Sequence, residues 1–322
     1  MITTQIIIAG GILLIFLLTI ILIQVYLQKK KILTLLTLKD SEIQKQKELV
    51  EQKNKEITEG VIYARRIQSA ILPNPQKIAQ ILPDSFIYFK PRDIVSGDFY
   101  WIERRSKKTM FAAVDCTGHG VPGALMSIIG YDGLNRAISE FEITKSDKIV
   151  NALNDEVTET LKQTGSVDIK DGMDISLCVL NRENNVMEYT GAKNPVYIVR
   201  KSDSLEVDNN EVKPNISDGN YSLFEVKADR MSIEPTREIK KFTPHRMQLE
   251  KNDRVYVFTD GYPDQFGGEQ GKKLSYQSFR KILLSIQNLS MEDQKNQLEI
   301  ELEKWQGDHD QLDDILILGV NI

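Results

Sequence analysis

Four aspartate sites share one local context. Asp98 stands in Ser-Gly-Asp-Phe-Tyr-Trp at the head of an apolar run, and Asp115 closes Met-Phe-Ala-Ala-Val and opens Asp-Cys-Thr-Gly-His-Gly. Asp260 closes Val-Tyr-Val-Phe-Thr and opens Asp-Gly-Tyr, and the pair Asp313-Asp314 directly precedes Ile-Leu-Ile-Leu-Gly-Val. A single carboxylate beside a strand end is ordinarily a turn residue. Four such sites, in a chain with only three histidines, point instead to a cluster at one edge of a sheet. Packed carboxylates repel unless cations neutralise them, so the cluster implies divalent metal. Oxygen donors favour Mg²⁺ or Mn²⁺ over zinc or copper. Two cysteines, Cys116 and Cys178, are too few for a disulfide framework or a four-thiolate zinc site.

The elements that must hold these groups follow from the apolar pattern. Strands are expected over 85–90, 99–104, 109–114, 175–181, 186–190, 196–200, 239–242, 254–259 and 315–320. Helices are expected as two pairs, 124–141 with 147–163 and 276–287 with 292–305. Helices grouped in pairs argue for an α+β fold and against a doubly wound sheet. The polar stretch 201–227 reads as a long loop or loose hairpin.

Ahead of this region the chain changes character. No charged side chain occurs from Met1 to Gln28, and Ile6–Ile23 is apolar apart from one threonine. A helix from Ile6 to Leu27 would be roughly 33 Å long, enough to cross a bilayer core. It lacks the basic start and small-residue exit of a signal peptide, so a single-pass anchor is expected. Lys29, Lys30 and Lys31 follow, which places the remainder on the cytoplasmic side of the cell (inner) membrane. Leu36, Ile43, Val50, Ile57, Ala64 and Ile71 then recur at seven-residue intervals, one seam of a coiled coil. The companion seam (Leu33, Asp40, Lys47, Asn54, Val61, Gln68) is mostly polar, leaving a parallel dimer and a lone solvated helix as the two readings. Pro73 and Pro75 are expected to end the helix. The expected domains are therefore 1–28, 29–73 and 74–322. The net charge of −5 divides accordingly: none in 1–28, +4 from ten basic and six acidic residues in 29–73, and −9 beyond. An acidic domain without a broad basic face argues against nucleic-acid binding.

Gly97-Asp98-Phe99-Tyr100, Val114-Asp115-Cys116-Thr117-Gly118-His119-Gly120-Val121-Pro122, Phe258-Thr259-Asp260-Gly261 and Asp313-Asp314-Ile315 resemble, in order, the motifs of SpoIIE/RsbU-type phosphatases. These are the bacterial branch of the PPM, or type 2C, metal-dependent serine/threonine phosphatases. The resemblance covers about residues 60–322 and includes the preceding helix Ala64-Arg65-Arg66-Ile67-Gln68-Ser69-Ala70-Ile71-Leu72-Pro73. It implies an α-β-β-α sandwich with two Mg²⁺ or Mn²⁺ ions at one end. By the same resemblance Asp115 bridges both ions and the Cys116 backbone carbonyl completes one shell. Asp260 and Asp313 hold the second ion, with Asp314 as the alternative to Asp313, and Asp98 serves the first. His119 is either a proton donor to the leaving hydroxyl or a brace of its turn. Arg92 is either a phosphate contact or one half of a surface ion pair.

The chain departs from the family in two places. Many relatives carry Gly-His-Asn-Pro where this chain has Ala192-Lys193-Asn194-Pro195, and Ile233-Glu234-Pro235 replaces a usual glycine. Asp171-Gly172-Met173-Asp174 resembles a subset of the family, and reads as an extra carboxylate near a third metal position or as a surface turn. The resemblance implies hydrolysis of a phosphoserine or phosphothreonine monoester on a cytoplasmic phosphoprotein, by analogy an anti-sigma-factor antagonist of the STAS type. A homodimer through the coiled coil is the expected assembly. A catalytically silent scaffold of the same fold is the competing expectation.

Overall fold

The computed structural model describes residues 2–162, 171–235 and 241–322. In chain order the elements begin with α1 (Ile2–Ile71), α2 (Pro75–Ile81), β1 (Ser85–Lys90), β2 (Phe99–Arg105), β3 (Lys108–Cys116), α3 (Gly120–Ser139) and α4 (Ser146–Lys162). Next come β4 (Met173–Asn181), β5 (Val186–Ala192), β6 (Val196–Arg200), β7 (Leu205–Val207), β8 (Asn210–Val212), β9 (Ile216–Ser217), β10 (Ser222–Val226) and β11 (His245–Gln248). The chain closes with β12 (Arg254–Phe258), α5 (Gly261–Asp264), β13 (Phe266–Gly267), β14 (Lys272–Lys273), α6 (Tyr276–Ser285), α7 (Met291–Gln306) and β15 (Ile315–Asn321).

Two units are distinct, Met1–Gly60 and Val61–Ile322. The described part of the first is helix throughout, with every side chain exposed, and it includes the one described segment long and apolar enough to cross a membrane. The second unit begins inside α1. Val61, Ala64, Gln68 and Ile71, the last members of the heptad seams, lose exposure, and Ile71 and Leu72 pack on the core beside α3 and α4. These residues pack within the second unit, which starts at Val61. Pro73 and Pro75 do stop the long helix, but Pro75 also starts α2: Asn74 caps it by accepting from the Lys77 amide.

The second unit is a four-layer sandwich. One sheet has the order β1-β15-β12-β6-β10-β9 and the other β2-β3-β4-β5-β11-β7-β8. The period of two along each strand sorts side chains between layers. In β3, Phe111 and Ala113 enter the core between the sheets, while Met110, Ala112 and Val114 pack under α3 and α4. In β15, Leu316, Leu318 and Val320 face the other sheet, while Ile315 and Ile317 pack under α6 and α7. Both faces are covered, which is why these strands read as unbroken apolar runs. The expected α-β-β-α sandwich is thus observed. The stretch 201–227, expected as a long loop or loose hairpin, contains the antiparallel pairs β7–β8 and β9–β10, and β10 also pairs with β6 inside the first sheet. The strand expected over 239–242 lies partly outside the described residues.

Candidate metal centre

Antiparallel pairing brings the aspartates to one end of the sandwich. Asp98 enters β2 opposite the exit of β3, since Phe99 pairs with Val114. Asp115 pairs directly with Asp174 of β4. Across the sandwich, Thr259-Asp260 leaves β12 where Asp313-Asp314 enters β15, with Phe258 opposite Ile317. Asp115, Cys116, Thr117, Gly118, His119, Asp174, Lys193, Ser232, Asp260 and Asp313 line one pocket of about 270 Å³.

Asp98 lies outside that lining, buried, and its carboxylate accepts a 2.6 Å hydrogen bond from the Thr259 hydroxyl. The turn that leads out of Asp115 runs through Gly118 and Gly120, both at positive φ (86° and 64°), a conformation that glycine adopts without steric cost. The Gly118 carbonyl nests against two further glycines: a Cβ on Gly97 would lie 2.6 Å from it, and one on Gly123 would lie 2.2 Å from it. Backbone meets backbone here, so the Ser-Gly-Asp and Val-Pro-Gly segments need glycine to bring the Asp98 loop, the Asp115 turn and α3 together.

The electrostatics follow from this crowding. Burial, then the Asp115 charge, push the Asp98 carboxyl well up, and the Thr259 hydrogen bond opposes them. Asp115 is pushed up by burial and then by Asp260 and Asp313. Asp260 rises to about 6 through burial first and Asp313 next. Asp313 and Asp174 rise more modestly with partial desolvation, the latter restrained by Ser232 and Lys193. Such a set fits a hard divalent ion, which relieves both the desolvation and the mutual repulsion. Among the described residues no three His, Cys, Asp or Glu side chains stand so as to hold a metal ion together, so it is the shared pocket lining that supports a metal here. The Cys116 thiol is buried and pushed well up by burial and by Asp115, the opposite of an activated nucleophile.

The structure separates several expected residues. Asp313 is exposed at the pocket, whereas Asp314 is buried and braces the backbone: its two oxygens accept from the Arg92 and Gly97 amides, each at 2.7 Å. The Arg92 guanidinium donates to the Leu312 carbonyl at 2.8 Å, and Arg92 is not part of the pocket lining. His119 precedes α3, lines the pocket, and its Nδ1 lies 2.8 Å from Asp93 Oδ2. Asp174 lines the pocket, while Asp171 is exposed and outside the lining. The roles of Thr259, Asp93 and Gln68 were not readable from sequence. Thr259 sits inside a quoted motif, but its bond to Asp98 spans the two sheets. Ile233, at the departure from the family pattern, exchanges backbone hydrogen bonds with Met173 and so sets Ser232 beside Asp174.

These contacts predict opposite outcomes for adjacent residues. Asp314→Asn leaves one of two backbone amides, the buried Gly97 or the part-buried Arg92, without a full acceptor and is expected to cost about 1–3 kcal/mol of stability, read by urea unfolding. Asp313→Asn is expected to leave stability intact or higher and to weaken Mn²⁺ binding, read by calorimetric titration. The reverse pattern would make Asp314 the ligand.

No curated protein sequence matches the chain. Among solved structures, the SiaA PP2C domain of Pseudomonas aeruginosa is similar at 29% identity and a TM-score of 0.71, covering 84% of this chain and 98% of that one. The PP2C phosphatase domain with a regulatory fragment of SpoIIE from Bacillus subtilis shares the fold at 15% identity and TM-score 0.54, covering 74% and 61%. The RsbU and RsbW domains of Rv1364c from Mycobacterium tuberculosis do so at 18% and 0.54, covering 75% and 60%. The family described as Stage II sporulation protein E (SpoIIE) matches residues 105–322, well over half the sequence and nearly all of the sandwich, and the chain belongs to that family of PP2C-type phosphatase domains.

Proposed function

We propose that the chain is a membrane-tethered protein serine/threonine phosphatase that hydrolyses phosphoserine or phosphothreonine monoesters on a cytoplasmic regulatory protein. The convergence of Asp115, Asp174, Asp260 and Asp313 on one pocket, in a chain of this family, carries the reading. Asp115, Asp260 and Asp313, with Asp98 and the Cys116 backbone carbonyl, would hold two Mg²⁺ or Mn²⁺ ions. When bound, such ions supply a water nucleophile at neutral pH and neutralise charge on the phosphoryl oxygens. Asp93 orients His119, whose other ring nitrogen would give its proton to the serine or threonine oxygen as the P–O bond breaks, releasing it as the hydroxyl. The substrate proposed by family resemblance is a phosphorylated anti-sigma-factor antagonist of the STAS type.

The test uses the full chain in lipid nanodiscs with a phosphoserine peptide. Phosphate release should require Mn²⁺ or Mg²⁺ and vanish in Asp260→Asn. Release without metal, or an active Asp260→Asn, would overturn the two-ion reading.

The first 60 residues support a dimeric tether. Leu36, Ile43, Val50 and Ile57 are more than half exposed, an apolar seam that a second copy would cover. Full-length protein carrying Val50→Cys should form an intermolecular disulfide under mild oxidation, and a persistent monomer would retire the dimer.

A further inference from the structure

Lys193 lines the acidic pocket and is the one lysine or arginine among its lining residues. It occupies the turn between β5 and β6 in the left-handed region, with φ of 55°. A non-glycine residue there carries a steric cost, and the surrounding backbone holds it. The Lys193 amide donates to the Asp229 carbonyl at 2.8 Å, and the Asp229 amide donates to Gly191 at 3.1 Å. On the far side of the turn the Asn194 carbonyl accepts from the buried Tyr189 hydroxyl at 2.6 Å. The turn is therefore fixed, and it aims a long cationic side chain at the carboxylates.

The cation is only loosely engaged. Lys193 Nζ lies 3.5 Å from Asp174 Oδ2, and its side chain is 53% exposed. At that distance a half-exposed ammonium is weakly held, although Asp174 itself is only 23% exposed, so a closer anionic partner can draw the ammonium away. A phosphoryl dianion entering this pocket meets Asp115, Asp174, Asp260 and Asp313 and needs a positive group at the mouth. Lysine acts on phosphate as a flexible point charge with three donors. Arg92, the other basic residue considered for that task, is tied to the Leu312 carbonyl outside the lining.

We propose that Lys193 is a substrate-contact residue: its ammonium rests on Asp174 in the free enzyme and transfers to a phosphoryl oxygen of the bound phosphomonoester. This rests on the phosphatase reading above, and it adds a specificity element at a position where many relatives carry histidine.

Calorimetric binding of inorganic phosphate to the full chain in nanodiscs, in saturating Mn²⁺, tests the contact without turnover. Lys193→Met should weaken phosphate binding about tenfold, the worth of one charge-assisted hydrogen bond. Lys193→Arg should recover part of it, and Mn²⁺ affinity should be unchanged in Lys193→Arg and no weaker in Lys193→Met, which removes a competing cation. With a phosphoserine peptide, the loss should fall on KM more than on kcat. Phosphate binding unchanged in Lys193→Met would overturn the proposal, as would a change confined to Mn²⁺ affinity, which would make Lys193 a counter-charge for Asp174 alone. A wild-type chain that binds phosphate through Lys193 but releases none from the peptide would refute the phosphatase reading and leave this contact standing.

Discussion

Replacing Asp115 with asparagine is expected to abolish Mn²⁺-dependent phosphate release and to make the EDTA-treated protein harder to melt. The first effect follows from the central place of Asp115, whose carboxyl feels Asp260, Asp313 and Asp174. Losing several kcal/mol of charge stabilisation, at ~1.4 kcal/mol per tenfold, predicts a fall of about a thousandfold or more. The second effect has the opposite sign because the site stores repulsion. Asp98, Asp115 and Asp260 all have carboxyls raised in the folded chain, so between about pH 4 and 6 the folded state holds more protons than the unfolded one. The Asp260 contribution to stability is present at low pH and is lost as pH rises through about 6, and those of Asp98 and Asp115 are lost in the same direction. EDTA-treated wild type should therefore melt lower at pH 7.5 than at pH 5.5, and Mn²⁺ should reverse the loss. Asp115→Asn should flatten that pH dependence and shrink the Mn²⁺-induced shift, at about 2–4 °C per kcal/mol for a domain of this size. A chelated wild type that is more stable at pH 7.5 would refute a repulsive cluster.

The same repulsion explains how much of the site was legible. Each aspartate interrupts an apolar run that buries both faces, so Asp98, Asp115, Asp260 and the 313–314 pair stand out at the edges of strands without any tertiary knowledge. The strands themselves were legible for the same reason: 85–90 and 196–200 are β1 and β6 to the residue. β10 was not, because Ser-Leu-Phe-Glu-Val is a short run between polar turns and gains its place only by pairing with β6. α2 was hidden by a residue with two meanings, since proline ends one helix and opens the next. What sets Asp314 apart from Asp313 is a pair of backbone amides that lie over 200 positions away in sequence. Lys193 looked like a bare departure from a motif until its turn set it against Asp174.

Gln68 is the residue whose reading changed most, and its replacement carries the second large prediction. In the sequence it was a polar intruder on a coiled-coil seam. In the structure it is 6% exposed and makes three hydrogen bonds. Its amide donates to the Ser96 carbonyl at 2.6 Å and the Ser127 hydroxyl at 2.9 Å, and its oxygen accepts from the Ser96 amide at 3.1 Å. The Ser96 hydroxyl in turn accepts from the Asp98 amide at 3.0 Å. One side chain at the end of the long helix thus pins α3 and the loop that positions Asp98. Gln68→Leu preserves volume but strands the Ser96 amide and carbonyl, at about 1–3 kcal/mol for each buried group left unpaired. The freed loop lets Asp98 shift, and misplacement of about 1 Å at a reacting centre costs on the order of a hundredfold. The expected result is a fall of that order in kcat/KM with weaker Mn²⁺ binding, beside a control, Tyr63→Ala, at a position 64% exposed on the same helix. Restoring kcat/KM by saturating Mn²⁺ would show that the defect lies in holding Asp98 for the ion. Wild-type kcat/KM in Gln68→Leu would mean that the helix only covers the domain and does not set its active site.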